Sequence, residues 1–218
     1  MSARILSVNV GQPQEVPGVR RRTGIRKQAV DVVALADPGP REQGGRSGAA
    51  GDFIGSQKHH GGDSQAVYAV AREELDHWGQ LLGRELASGW FGENLTTSGL
   101  DVDAAELGER WRVGSALLEV TAARIPCATF AAHMGERGWV RRFAERGRTG
   151  AYLGVVEPGE VRPGDAVEVV HRPGHGWTVP RLFRALMGDV ELARELAAAG
   201  VACPREQAGL EKLLAGRS

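Results

Sequence analysis

The sequence has few of the features that would tie a protein to a membrane, an oxidising compartment or a nucleic acid. Two of its 218 residues are cysteines, which excludes a disulfide framework and favours a reducing compartment. The first segment, MSARILSVNVGQ, lacks the long apolar stretch of a signal peptide, and no apolar run approaches the length of a membrane span. Basic and acidic residues number 27 each, which gives no general argument for binding nucleic acid or membrane. We therefore expect a cytoplasmic protein that contacts neither.

The composition is that of an ordinary globular protein. Hydrophobic residues make up 42% of the chain and charged residues 25%. The chain is long enough to bury a core without disulfide or metal staples, and its length predicts one domain, alone or with a small appendage. Its 31 glycines indicate many turns and short strands rather than long helices.

The pattern up to about residue 175 is mostly that of strands. A β-branched run predicts a strand over 3–10, and 23–35 predicts one or two short strands. Apolar residues on both faces of 109–124 predict a strand that is buried on both sides. Two strands joined by Pro and Gly turns are predicted over 151–170. Between these elements, 36–57 is polar and Gly-rich, and it predicts a loop of unusual length.

Helical spacing appears in two parts of the chain. Apolar residues on one face predict a helix over 66–82, which Asp63 or Ser64 can cap. Two short helices are predicted after Cys127.

The tail from Val179 onward predicts three further short helices, because each of its segments ends at a glycine. We therefore predict a strand-rich domain over 1–176 and a three-helix unit over 177–218.

Cys127 is the first residue that could carry chemistry. It follows Arg124, Ile125 and Pro126, where the predicted strand ends and a helix begins; proline ends the ladder because it has no N–H. The start of a helix and a nearby arginine both favour a thiolate, which is a soft metal ligand and a nucleophile. A free cysteine is more commonly a small buried apolar residue, and the position alone leaves both interpretations open.

The segment Lys58-His59-His60-Gly61-Gly62-Asp63 is a second candidate. Its glycines let the backbone approach a ligand, and the helix predicted after it would present free N–H groups to an anion. The alternative is a capped turn with surface histidines. No CxxC or HExxH spacing supports a zinc site.

Three more residues have both a functional and a structural interpretation. Asn94, in FGENLT, can orient a polar ligand or make a local turn. Arg148 lies on a glycine turn and suits bidentate contact with phosphate, although most turn arginines are solvated. Lys27, at an early strand, has the same two interpretations.

Taken in chain order, these segments resemble the MOSC family, named after the C-terminal domain of molybdenum cofactor sulfurases. The stand-alone YiiM-like branch is the most similar, over about residues 20–175, and the tail resembles the three-helix unit of that branch. The segments that carry the resemblance are GIRK, GD at 51–52, HHGGDSQAVYAVAREELDHW, FGENLTTSGL, ERWRVGSALLEVTAARIPC and GRTGAYLGVVEPGEVRPGDAVEVV.

The resemblance implies a mainly-β fold, a MOSC-type β-barrel with short helices. It implies that the molybdenum cofactor (molybdopterin) is bound with Cys127 as the protein ligand to the metal. It also implies a positive groove for the pterin and its phosphate, onto which we map six residues: Lys27, His59, His60, Asn94, Arg124 and Arg148.

The YiiM-like branch is associated with the reduction, and so detoxification, of N-hydroxylated compounds such as hydroxylated base analogues. The resemblance therefore implies an oxidoreductase with Cys127 and His60 as its catalytic residues, in which His60 or His59 is the proton donor. No flavin or iron–sulfur motif is visible, so we expect an external electron-donor protein that carries one of these groups.

Two other functions stay open at this point. The chain could be a non-enzymatic carrier of the cofactor or a sulfur-relay module, or Cys127 could pair with a histidine as a nucleophilic hydrolase. The tail can pack on its own barrel or on a second subunit, so a homodimer is one expected assembly. Relative to the family, the loop at 36–57 is long, and Ser56 replaces a residue that is commonly acidic in the branch.

Overall fold

The computed structural model describes residues 2–216, which form ten strands and six α-helices. The strands are β1 Arg4–Gly11, β2 Lys27–Val30, β3 Val33–Leu35, β4 Val67–Ala71, β5 Leu95–Ser98, β6 Arg110–Val113, β7 Ala116–Ala123, β8 Ala151–Glu157, β9 Gly159–Val161 and β10 Val167–His171. The helices are α1 Arg72–Leu82, α2 Ala128–Met134, α3 Trp139–Arg146, α4 Val179–Leu186, α5 Val190–Ala199 and α6 Pro204–Ala215. None of these helices, within residues 2–216, is long and apolar enough to cross a membrane.

Eight strands form one curled sheet in the order β10-β6-β7-β8-β4-β5-β1-β2. All of its pairs are antiparallel except β4 with β5. The sheet returns on itself where Arg4 of β1 bridges Ala166, just before β10. The Val167 N–H also donates to the Ala3 carbonyl at 3.0 Å. The sheet is thus barrel-like, and the expected mainly-β fold is confirmed.

The main hydrophobic core lies inside this curled sheet and continues between the sheet and the three tail helices. Leu118 and Leu153 from the sheet belong to the same buried cluster as Leu182, Leu196 and Leu210 from α4, α5 and α6. Because the tail supplies fully buried side chains to this cluster, it packs on its own barrel.

A second core, rich in aromatic residues, lies where α1, α2 and α3 meet the sheet. Phe130 of α2 contacts three other rings edge to face, those of Phe91, Trp139 and Phe143. Rings in this arrangement add stability beyond their buried area. They anchor α2, and with it the residue that precedes the helix, Cys127.

The helix predicted over 66–82 is wrong in its first part. Residues Val67–Ala71 form strand β4, whose five residues are all buried because one face of the strand belongs to the main core and the other to the aromatic core. A strand covered on both faces has the same continuous apolar sequence as a buried helix. Asp63 and Ser64 lie in a 3₁₀ turn (Asp63–Gln65), and α1 begins after Ala71 without a side-chain cap.

The predicted single strand over 109–124 is a hairpin. Strands β6 and β7 pair antiparallel and are joined at Gly114 and Ser115, and Gly114 adopts a φ of 55° that side chains rarely tolerate. The region 151–170 contains one more strand than predicted, the short β9, which pairs with β3. The strand within 3–10, two short strands within 23–35, two helices after Cys127 and three helices in the tail are confirmed.

The shared core predicts that the tail and the barrel unfold together. We expect Leu210→Ala to lower the free energy of unfolding by about 2–5 kcal/mol, because Leu210 is fully buried. Four of the five tryptophans lie in the barrel, and the fifth, Trp177, stacks on Arg181 of α4. In a Trp177→Phe background, tryptophan fluorescence during urea unfolding therefore reports on the barrel and circular dichroism on the whole chain. Both transitions should shift together.

The matched control is Glu211→Ala, an exposed neighbour on α6, which should change stability by no more than about 0.5 kcal/mol. An unchanged fluorescence midpoint in Leu210→Ala would show instead that the tail unfolds separately.

Candidate functional site

Five of the residues predicted from the sequence line one pocket. Lys27 begins β2 and Asn94 directly precedes β5, while Arg124 follows the last residue of β7. His60 enters from the loop before β4, and Cys127 precedes α2. We call this space the thiol pocket.

Cys127 lies at the junction that the sequence predicts. It is the N-cap residue of α2 in an extended conformation, and its carbonyl accepts a hydrogen bond from the Ala131 N–H at 3.0 Å. Its side chain is partly exposed at the pocket surface. Within residues 2–216, no hydrogen bond joins its sulfur to a histidine, so the Cys–His hydrolase pair lacks its required contact.

Arg124 is a buried cation without an ion-pair partner in the described chain. Its side chain is 6% exposed. Its guanidinium carbon lies 5.0 Å from the ring centre of Tyr68 and 4.7 Å from that of Phe130. Its Nε atom is buried and has no hydrogen-bond partner among residues 2–216. An unpaired buried charge is costly, so this geometry suits a residue that binds an anion.

The guanidinium of Arg124 keeps its charge in this environment. Burial by itself lowers the pKa of Arg124, but Tyr152, Tyr68 and Cys127 raise it, and the net direction is upward. The thiol of Cys127 thus lies within electrostatic range of a permanent positive charge. A negative group bound beside Arg124 would be close to the thiol as well.

Asp52 connects the segments that form the side of the thiol pocket lined by Lys27 and Asn94. It forms a buried ion pair with Lys27 and accepts hydrogen bonds from the Gly11 N–H at 2.6 Å, the Ser47 hydroxyl at 2.7 Å and the Asn94 amide at 3.1 Å. These contacts join β1, β2, the long loop and the start of β5. Burial lowers the pKa of Lys27, and the carboxylate of Asp52 opposes this effect.

The side chain of Asn94 is already fully engaged by the protein. Its amide nitrogen donates to the Asn9 carbonyl at 3.2 Å and to Asp52, and its oxygen accepts from the Tyr68 N–H at 3.2 Å. This geometry favours a positioning role over direct contact with a ligand. The neighbouring Glu93 makes a local turn by accepting hydrogen bonds from Gly89, Phe91 and Thr96.

The two histidines of the HHGGD segment lie in different environments. His60 lines the thiol pocket, and burial, together with the charges of Arg124 and Arg205, lowers its pKa to about 4. His59 is exposed and lies outside the pocket; its carbonyl accepts a hydrogen bond from Arg205 at 3.0 Å. A 3₁₀ turn and strand β4 follow this segment, and α1 begins only at Arg72, so the predicted anion site at a helix start is wrong here. Arg124 provides the positive charge instead.

Arg148 is not brought to the thiol pocket. Its guanidinium donates to Glu74 at 2.5 Å and to Asp101 at 2.6 Å, and it lies 3.8 Å from Asp103. It therefore crosslinks α1 to the segment before β6. The sequence around Arg148 could not predict these ion pairs, because the acidic partners are 45 to 74 residues away in the chain.

The structure adds pocket residues that sequence analysis did not single out. Asp52 was recognised only as part of a Gly-Asp pair, Tyr68 lies in the segment that was predicted as a helix, and Tyr152 lies in the predicted strand after Arg148. The buried partners of Asp52 are up to 42 residues away, so local patterns carry no signal for its role.

The ion pair of Asp52 predicts a coupled effect on stability. We expect Asp52→Asn to destabilise the protein by about 3–5 kcal/mol in urea unfolding, because it leaves the buried charge of Lys27 without a counter-charge. Adding Lys27→Met should cost less than the two single losses combined. Strictly additive losses in this double-mutant cycle would argue against the pairing.

The low pKa of His60 predicts a response to Arg124. In an NMR titration we expect the His60 ring to titrate near pH 4 in the wild type, and at a higher pH in Arg124→Gln, because a repelling charge is removed. Arg112→Gln, in an exposed ion pair with Glu157, is the control and should leave the His60 titration unchanged. Equal titration in all three proteins would exclude the electrostatic contact.

Comparison with known proteins gives several related sequences. The uncharacterized protein YflK of Bacillus subtilis (strain 168) is 32% identical over 177 residues, covering 80% of this chain and 76% of YflK. Protein YiiM of Escherichia coli (strain K12) is 30% identical over 128 residues, 57% of each chain. A protein named reductase from Gibberella moniliformis is 27% identical over 144 residues, 64% of this chain but 26% of that protein.

A solved structure has the same fold. The crystal structure of YiiM from Geobacillus stearothermophilus superposes with a TM-score of 0.76 at 24% identity, covering 97% of this chain and 99% of that one. The alignment therefore includes the helical tail as well as the barrel. The sequence model of the MOSC domain matches residues 56–168, more than half of the chain. The chain therefore belongs to the MOSC domain family, and its relatives are consistent with the stand-alone YiiM-like branch.

Proposed function

We propose that the protein binds a molybdenum cofactor and reduces N-hydroxylated small molecules, with Cys127 as the protein ligand to molybdenum. One observation carries this proposal: a partly exposed thiol and a buried, unpaired guanidinium line the same pocket. Thiolates are soft metal ligands, and arginine suits planar contact with phosphate and similar anions. The donor set therefore fits a cofactor that carries both a metal and negative charge.

The family membership supports the same class of function. MOSC domains take their name from molybdenum cofactor sulfurases, which relates the family to this cofactor. One relative is named a reductase, which supports an oxidoreductase more than a hydrolase.

Within the pocket we assign the main anion contact to Arg124. Lys27 is also cationic, but its charge is offset by Asp52, so it contributes less to the field. Asp52 and Asn94 act by holding the pocket walls in place. Arg148 and His59 were expected in this groove, but neither lines the thiol pocket, and we assign them no contact there.

The reduction converts N–OH to N–H and water, and it consumes two electrons and two protons. When bound, the molybdenum cofactor supplies the two-electron chemistry. His60 is the histidine in the pocket, and we assign it a proton-donating role. Burial and, after it, the charge of Arg124 lower the pKa of His60 to about 4, and a bound anion would offset the charge and so shift the pKa upward, toward proton uptake by the ring.

The electrons have to reach the pocket from outside. Two cysteines cannot provide the four ligands of a common iron–sulfur cluster. We therefore propose an external electron-donor protein that carries a flavin or an iron–sulfur cluster.

The first experiment measures molybdenum per chain after expression in a host that makes the cofactor. We expect the wild type to carry molybdenum and Cys127→Ala to lose it. Cys203→Ala is the matched control, because this second free cysteine directly precedes α6 and does not line the thiol pocket. It should keep the metal.

Two other outcomes would change the conclusion. Wild type without molybdenum, in a host whose cofactor pathway works, would exclude the cofactor. Loaded wild type that does not reduce an N-hydroxylated base when given a chemical electron donor would favour the carrier or sulfur-relay function instead.

A further inference from the structure

A second cleft lies beside the thiol pocket, between α6 and the long loop that precedes β4. Arg41 of the loop lies on one side of it, and Arg205 and Lys212 of α6 lie on the other. We call this space the tail cleft. Neither the proposed metal ligand nor the buried guanidinium of Arg124 lines it.

The tail cleft has an excess of positive charge. Arg41, Arg205 and Lys212 line it, and Glu206 is its one acidic lining residue among residues 2–216. The partner of Arg41 is Glu42, at 3.7 Å and largely exposed, where solvent screens the pair. Two guanidinium groups from separate segments thus face a space that has too little negative charge to neutralise them.

One nitrogen of the Arg205 guanidinium has no hydrogen-bond partner in the described chain. Its Nη2 donates to the His59 carbonyl at 3.0 Å, and its Nε lies 3.8 Å from the carboxylate of Glu206. Its Nη1 is buried and has no hydrogen-bond partner among residues 2–216. The first two contacts fix the orientation of the group, and Nη1 is an unsatisfied charged donor in a residue that lines the cleft. Charged donors of this kind bind phosphate oxygens strongly.

The tail cleft adjoins the thiol pocket directly. His60, Gln65 and Tyr152 line both spaces. The side-chain oxygen of Gln65 is buried there without a hydrogen-bond partner in the described chain. The two spaces therefore adjoin at these three side chains, which is where a ligand held in the cleft would reach the thiol pocket.

We infer that the tail cleft binds the phosphate group of a phosphorylated substrate, whose N-hydroxylated end reaches the thiol pocket. An N-hydroxylated nucleotide has this form, with its base and its phosphate at opposite ends. The identity of the substrate rests on the function proposed above, whereas the anion site does not. Two arginine forks and a lysine match the charge and the several oxygens of a phosphate monoester better than those of a carboxylate.

The binding experiment separates the cleft from the thiol pocket. Arg124→Gln removes the main anion contact of the thiol pocket, and this full-length chain is titrated with cytidine 5′-monophosphate and with cytidine. We expect the monophosphate to bind more tightly. Adding either Arg205→Gln or Arg41→Gln should weaken its binding by about tenfold to a hundredfold, the value of a charged hydrogen bond.

The matched control is Arg124→Gln with Arg194→Gln, an exposed arginine on α5 that lines neither space, and it should bind like Arg124→Gln alone. Arg41 lies on a surface loop, so its substitution tests the cleft even if changes at Arg205 loosen α6. Equal binding of cytidine and its monophosphate, or unchanged binding in both cleft variants, would overturn the anion site.

A kinetic experiment then tests the substrate. In cofactor-loaded enzyme, Arg205→Gln should raise KM about tenfold for an N-hydroxylated cytidine 5′-monophosphate and leave KM for the corresponding nucleoside unchanged. Equal changes for both compounds would overturn the substrate assignment while the binding result still defines the anion site. Cofactor-loaded enzyme that reduces neither compound would refute the proposed function. The anion site would still stand, because the titration with cytidine 5′-monophosphate does not depend on activity.

Discussion

The buried carboxylate of Asp52 is the interaction on which the thiol pocket depends. It neutralises Lys27 and accepts hydrogen bonds from Gly11 of β1, from Asn94 before β5 and from Ser47 of its own loop. These contacts give β1, β2 and the start of β5 a common polar anchor at this end of the sheet, and they add to the backbone hydrogen bonds that hold the long loop, such as the one from the Phe53 N–H to the Gly11 carbonyl at 2.9 Å. A buried ion pair is stable only when further hydrogen bonds satisfy its polar atoms, and here the Gly11 N–H, the Ser47 hydroxyl and the Asn94 amide provide them for the carboxylate of Asp52.

Asp52 neutralises Lys27 on one side of the thiol pocket. The positive field in the pocket therefore comes mainly from Arg124 on the other side. Arg124 is buried against the rings of Tyr68 and Phe130, which hold the guanidinium in place without cancelling its charge. The aromatic core around Phe130 also anchors α2 and so positions Cys127. The same packing thus positions both Arg124 and Cys127, which the proposed chemistry needs. The polar contacts of Asp52 and the aromatic core around Phe130 together shape the thiol pocket.

The sequence predicted the parts of this arrangement that depend on local order. Cys127 at a strand–helix junction and the three helices of the tail follow from proline, glycine and apolar spacing, and all of them are confirmed. Strand β4 was predicted as a helix because a strand buried on both faces loses its alternating pattern. The roles of Asp52 and Arg148 were out of reach for another reason: their partners are distant in the chain, and no local pattern encodes which acid and base will meet.

The long loop before β4 serves the two neighbouring spaces with separate parts. Ser47 and Asp52 near its end belong to the polar anchor of the thiol pocket, whereas Arg41 in its first half lies at the tail cleft. The backbone of the first half is hydrogen-bonded to Gly62 and Asp63, close to His60, so insertions there would disturb the reaction centre as well. Side-chain changes at Arg41 alter the cleft alone, and they are the route by which ligand preference can diversify during evolution or in a designed library.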